Sequence, residues 1–305
     1  MNACKFCGKE NLREFTAQEK MFGLGEEFVY QECLSCNSLQ IKEIPDDLSP
    51  YYSSGGYYSF SALVLSDPLR IFLKKLRMNM FLDWGISWKS PSYGYWLKKI
   101  HRSFDDAIVD VGCGNGQLLY ELHAGGFTNL TGIDPFLMES SSIAPGLELI
   151  KGKLEDASQK FDVIMMHHSF EHLDDPSQIL KQCYDSLHPG GRVLIRTPLA
   201  KSAAWEEFGT NWVQLDAPRH LIIPSLAGFQ ALVSSSGFRL KEVLFDSTGF
   251  QFWGSKLYEN EFKLSGEKLA DHYSKEELEE FNKKALQYNL EGKGDQACFF
   301  LERED

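Results

Sequence analysis

Between residues 165 and 175 the chain reads "MMHHSFEHLDD", which places His167, His168, Glu171 and His172 within six positions. Imidazole and carboxylate groups so spaced can ligate a metal, move a proton or brace a turn. As ligands, His168 and His172 share a face only if a helix already runs from residue 168, and Asp174-Asp175-Pro176 ends any helix soon after. As a base, a histidine with its ordinary pKa near 6.5 suits removing a proton from an acceptor. As a brace, Glu171 and His172 would order the floor of a pocket. A further histidine, His220 in "APRHL", joins His172 as a candidate base, while its neighbour Arg219 reads as a surface residue or as a partner for a substrate anion.

Cysteine offers a second chemistry. Cys4 and Cys7 form "CKFC", and Cys33 and Cys36 form "CLSC". Each pair puts two thiolates on one tight turn, and two such turns make the tetrahedral set that structural zinc prefers. Four thiolates close the coordination shell, so this is a structural site with no open position for catalysis. The long gap suits a hairpin, with "EEFVYQE" as its second strand. Cys113, Cys183 and Cys298 stand apart and read as packing residues.

The elements that must position the histidines follow a strand–helix alternation. "AIVDV" ends in a glycine turn, Gly112-Cys113-Gly114-Asn115-Gly116, which opens a helix. Such a turn lets backbone approach a ligand closely and presents free N–H groups at a helix start. "NLTGID" follows and ends in Asp134, whose carboxylate suits ribose hydroxyls. Gln117 stands where a dinucleotide fingerprint has its third glycine, which argues against a nicotinamide-dependent oxidoreductase. "LELI", "FDVIMM", "RVLIRTP", "RLKEVLF" and "QACFFLER" are five more strands. The expectation is an α/β fold, a Rossmann-like doubly wound, mostly parallel seven-stranded sheet, preceded by a small zinc ribbon. The histidine cluster then falls at the carboxyl end of the fourth strand, where open α/β sheets bind ligands.

With 43% hydrophobic and 24% charged residues in 305, the composition is that of a globular chain, and the net charge is −12. An acidic chain repels phosphate backbones, so no nucleic-acid partner is expected. No apolar run reaches the roughly 20 residues of a membrane span, and the start has no apolar leader, so a cytoplasmic protein is expected. The densest basic run, "LRIFLKKLRMN", lies in an amphipathic helical pattern. Before it, "SPYYSSGGYYSF" carries the tyrosine pairs Tyr51-Tyr52 and Tyr57-Tyr58 around Gly55 and Gly56, either a surface linker or a lid hinged on the glycines. The expected division is 1–42 zinc ribbon, 43–100 connector or lid, and 101–305 main domain.

In order and spacing, "VDVGCGNG", "GIDP", "FDVIMMHHSFEHL" and "LHPGGRVLIRTP" resemble the successive motifs of class I S-adenosylmethionine-dependent methyltransferases. The N-terminal cysteine module and "WVQLDAPRHLIIPS" are similar to a subgroup that includes sugar C-methyltransferases. The resemblance implies S-adenosylmethionine as cofactor and a small acceptor, a nucleotide-linked sugar or a glycan or lipid precursor. It implies that Asp110, Gly112, Cys113, Gly114 and Gly116 hold the methionine moiety and that Asp134 holds the ribose. Pro135, Leu154 and Glu155 would lie by the adenine, and His167 and His168 would line the sulfonium end. Trp205 and Trp212 fall where such enzymes build the acceptor pocket. An inactive cofactor-binding scaffold is the alternative from another class.

Overall fold

The computed structural model describes residues 3–52, 62–86, 90–100 and 103–304. Gly55, Gly56, Tyr57 and Tyr58 lie outside the described residues, and with them the hinge expected there. Three strands come first: β1 (Leu12–Gln18), β2 (Glu27–Cys33) and β3 (Leu39–Ile41). The main domain adds β4 (Ile108–Val111), β5 (Leu130–Asp134), β6 (Ser141–Ala144), β7 (Leu147–Lys151), β8 (Phe161–His167), β9 (Leu187–Pro198), β10 (Ile222–Ile223), β11 (Phe238–Phe245) and β12 (Gln296–Arg303).

The main sheet has the order β11-β12-β9-β8-β4-β5-β7-β6. Pairs β4–β5, β4–β8, β5–β7 and β8–β9 are parallel, while β12 runs antiparallel between β9 and β11. The parallel strands are apolar runs because both faces are covered; Ile108, Val109, Ile164, Val193, Leu194 and Ile195 are completely buried. All seven expected strands form. The eighth, β6, is a short edge strand paired antiparallel to β7 through an irregular register. Its sequence, "SSIA", carries no alternating apolar signal, and half of it is exposed. Strand order reverses between β4 and β8, which makes the carboxyl ends of these two strands the switch-point crevice.

β1, β2 and β3 form the antiparallel sheet expected around the cysteine knuckles, but the sheet has a fourth member. β10, from the main domain, pairs with β3 through Ile222 opposite Gln40 and Ile223 opposite Leu39. The buried Tyr30 hydroxyl on β2 donates to the His220 carbonyl at 2.8 Å. The second knuckle rests on the helix Leu226–Val233: a Cβ at Gly228 would stand 2.0 Å from Ser38 Oγ and 3.2 Å from Cys36 Sγ. Glycine is required there because knuckle and helix touch backbone to side chain.

Candidate active site

The glycine turn after β4 uses positive φ at all three glycines, 77° at Gly112, 55° at Gly114 and 80° at Gly116. A side chain at Gly112 would come within 2.4 Å of Ser169 Cβ, which follows β8, so turn and fourth-strand loop are interlocked. Asp134, at the end of β5, accepts from Gly114 N at 2.9 Å and from Phe136 N at 2.8 Å. Its carboxylate thereby fixes the turn. Gln117 starts the next helix, and its side-chain amide pairs with both backbone groups of Val64, tying the connector to the turn.

A cavity of about 930 Å³ opens over this crevice. Asp110, Gly112, Cys113, Gly114, Asn115, Gln117, His167 and His168 line it. His172, Gln214, Asp216, His220, Glu267 and Gln296 add further polar groups to the lining, and Met21, Val213, Phe250, Trp253, Leu257, Leu264 and Leu269 add apolar ones. Asp110 is buried and one of its carboxylate oxygens has no partner. Burial, and secondarily the charge of Asp134, push its pKa up to about 8. An orphaned carboxylate oxygen in the wall beside a glycine cradle fits the cationic end of a ligand.

The histidines divide by their partners. His167 is half-buried, its ring lies 4.5 Å from that of Trp96 at a tilt of 39°, and burial and the Arg196 charge hold it neutral. His168, at φ 54°, sends Nδ1 to Glu171 Oε1 at 3.2 Å and Nε2 to the Arg196 guanidinium. A carboxylate only accepts and a guanidinium only donates, so the His168 proton sits on Nδ1. Glu171 is completely buried and also accepts from Thr197 Oγ1 at 3.0 Å. Burial acts to raise its pKa, but the bond from His168 and the neighbouring imidazoles outweigh this and bring it to about 2. Both its oxygens are engaged, and it braces the turn from behind the wall.

His172 Nδ1 lies 2.8 Å from the Arg219 carbonyl and 3.2 Å from the Tyr52 hydroxyl. His220 Nδ1 lies 2.8 Å from the Gln214 carbonyl. Carbonyls only accept, so each ring keeps its proton on Nδ1 and leaves Nε2 as the basic atom. The two rings are 4.9 Å apart. Burial drives His220 down to about 4, with the other nitrogen 3.8 Å from Asp216 and 4.0 Å from Glu171. His172 is the more open of the two.

Two expectations fail here. Arg219 is completely buried: it donates to Glu19 at 3.0 Å and to Asp216 through Nε at 2.9 Å and Nη2 at 2.6 Å. It bonds the Tyr51 carbonyl as well, so it is a structural cross-link and no anion receptor. Trp212 is buried with its Nε1 on Asp295, and Trp205 packs against Phe15 and Trp212. Neither lines the cavity; Phe250 and Trp253, in the helix Phe250–Glu259, supply its aromatic wall instead. Gly116, Asp134, Pro135, Leu154 and Glu155 also stand outside the wall. Leu154 is buried in the core, while Pro135 and Glu155 are exposed, the latter accepting from Gln182.

Among the described residues two clusters bring ligand atoms within 4.8 Å of one another, the four cysteines and Glu171-His172-His220. Cys4 and Cys36 sulfurs lie 3.6 Å apart, as do those of Cys7 and Cys33. A tetrahedron with Zn–S bonds of about 2.3 Å has edges of about 3.8 Å, so the four thiols fit zinc. In the second cluster Glu171 is already committed to His168 and Thr197.

A model of the methyltransferase domain matches residues 89–243, just over half of the 305 residues. The chain belongs to the class I S-adenosylmethionine-dependent methyltransferases. The chain is 29% identical over 122 residues to a ubiquinone biosynthesis O-methyltransferase of Serratia proteamaculans (strain 568), covering 36% of this chain and 50% of that one. It is 33% identical over 101 residues to the same enzyme of Pseudomonas putida (strain W619), covering 30% and 43%. The chain thus spans about half the length of these curated relatives. Among solved structures it is similar to a cyclopropane synthase from Mycobacterium tuberculosis, with TM-score 0.45, 16% identity, and 70% and 83% of the two chains covered.

Met21, Gln214, Asp216, Phe250 and Trp253 are among the wall residues that sequence reasoning missed. Gln214 and Asp216 had a signal, since both lie in the "WVQLDAPRHLIIPS" run with His220.

Proposed function

We propose that this chain transfers the methyl group of S-adenosylmethionine to a small acceptor held between His172 and the Phe250–Trp253 wall. The observation that carries the reading is the buried Asp110 carboxylate, one oxygen unpartnered, beside the glycine turn at the switch point. When bound, the cofactor supplies a methyl group on a good leaving group. The protein contributes alignment and proton removal. Asp110, Gly112 and Gly114 receive the methionine moiety, Asp134 holds that turn from behind through Gly114 N, and His167 and His168 close the reacting end. His172 is the base: the Arg219 carbonyl fixes its tautomer, and Nε2 takes the acceptor proton. His220, neutral and deeper, shapes the pocket behind it.

No lysine or arginine stands among the described wall residues, while Asp110, Asp216 and Glu267 do. This favours an uncharged reacting end, as in a glycan or lipid precursor, over a diphosphate-linked sugar. In the same reading residues 1–42 form a zinc ribbon on Cys4, Cys7, Cys33 and Cys36, residues 43–100 a connector, and residues 101–305 the methyltransferase domain. The zinc supplies stability that so small a sheet lacks. Isothermal titration of the zinc-loaded protein with S-adenosylhomocysteine tests the proposal. Binding is expected, weakened at least tenfold by Asp110→Ala; no binding by the intact protein refutes it.

A further inference from the structure

Eight of the seventeen exposed large hydrophobic side chains among the described residues fall between Val64 and Ile86. Such concentration marks an interaction surface, where scattered apolar residues would mean nothing. At its centre is the helix Pro68–Leu82, N-capped by Asp67. Leu69, Phe72, Leu73 and Leu76 recur at helical spacing on one face and are 68%, 63%, 52% and 43% exposed. The opposite face does the packing: Met78 and Phe81 are buried, and Lys74 pairs with Glu121 at 2.6 Å. The helix therefore has two apolar faces, and among the described residues only one is packed.

The charge pattern selects what covers the other. The helix holds Arg70, Lys74, Lys75 and Arg77 and no acidic residue, in a chain of net charge −12. At 100° per residue, Arg70 and Arg77 flank the exposed stripe on one side and Lys75 on the other. Arg70 meets the exposed Asp67 at 3.1 Å, a surface pair of small energy. Symmetric pairing with a second copy would set these cations against their own equivalents. An anionic lipid surface instead takes the apolar stripe into its acyl boundary and the basic flanks among its headgroups. Trp84, 70% exposed just beyond the helix, is the residue type that settles at that boundary.

We propose that the face Leu69-Phe72-Leu73-Leu76 docks this protein on an anionic membrane surface. The geometry extends the proposed function, because Ala62 and Val64, just before the helix, belong to the cavity wall. A docked helix sets that rim of the cavity toward the bilayer, where an acceptor with a lipid tail would reside. The extension rests on the methyltransferase reading; the docking itself does not.

The test is sedimentation of the zinc-loaded protein with vesicles of phosphatidylglycerol and phosphatidylethanolamine, against phosphatidylcholine alone, without cofactor or acceptor. The anionic vesicles should bind it at least tenfold more tightly than the neutral ones. Phe72→Glu/Leu73→Glu should lose at least tenfold on them, and Arg70→Glu/Lys75→Glu should lose the preference for anionic lipid. All four side chains face solvent, so the thermal midpoint should hold in both variants. Equal binding by wild type and Phe72→Glu/Leu73→Glu, or equal binding to both vesicle types, overturns the proposal. So does a dimer in sedimentation velocity that Phe72→Glu/Leu73→Glu abolishes while wild type ignores vesicles. Failure to bind S-adenosylhomocysteine would sink the enzymatic reading and leave these results standing.

Discussion

Cofactor binding by this protein should release a proton, and Asp110 says how much of one. Burial and the nearby Asp134 hold its pKa at about 8. At pH 7 the carboxyl is then about nine-tenths protonated in the unliganded protein. A ligand whose cationic end engages Asp110 needs the ionised form, so roughly 0.9 proton should leave on binding at pH 7. Affinity should rise about tenfold per pH unit between pH 6 and 7 and level off above pH 8. The assay is isothermal titration with S-adenosylhomocysteine in two buffers of different ionisation enthalpy, repeated across pH 6–9. Asp110→Asn should bind more weakly and show neither proton release nor the slope. The stability of the unliganded fold carries the matching sign. Its native pKa lies above the unfolded value near 3.9, so Asp110 favours folding fully below about pH 4, and that contribution declines as pH rises through 8. A proton count of zero at pH 7, or an affinity flat from pH 6 to 8 in the wild type, would refute the placement of Asp110 at the cofactor.

Three further outcomes follow from the same geometry. His172→Ala should cut labelled methyl transfer to an acceptor from a metabolite-extract screen by about 10²–10⁴ while leaving S-adenosylhomocysteine affinity unchanged; a matched loss of cofactor affinity would make His172 part of the cofactor site. Arg219→Met leaves the buried Glu19 and the half-buried Asp216 without their cation and should cost about 3–5 kcal/mol in urea unfolding; a loss below about 1 kcal/mol would place the arginine at the surface after all. Removal of the proposed zinc with a chelator should raise amide hydrogen exchange across residues 27–41 and also at 222–230, because β10 and the following helix lean on the knuckles; unchanged exchange at 222–230 would show the two are uncoupled.

The strands of the main sheet were legible because a parallel sheet buried on both faces demands short runs of β-branched and apolar residues, and "IVDV" and "FDVIMM" contain little else. The glycine turn was legible because positive φ at positions 112, 114 and 116 leaves few residue choices. The cysteine spacing carried its own geometry. Arg219 was misread because its partner Glu19 lies 200 residues away in sequence, and no local pattern reports such a pairing. Trp205 and Trp212 were misassigned for a related reason. Their position in the chain suited a pocket, but Asp295 and Phe15 drew the rings inward. β6 was missed because an exposed edge strand of polar residues has no core to pattern it.

The strand Ile222–Ile223 has a consequence for how the molecule is made. The N-terminal sheet lacks its fourth strand until residue 223 leaves the ribosome, 182 positions after β3 ends at Ile41. At about 5–20 residues per second this is a wait of roughly 10 to 40 seconds, during which the edge of β3 and the knuckle surface stay uncovered. The cysteine-bearing sheet is made well before the strand that completes it, so a part that emerges early is finished late. Cutting the gene between the ribbon and the main domain would sever one folding unit, and neither product should behave as half of the protein.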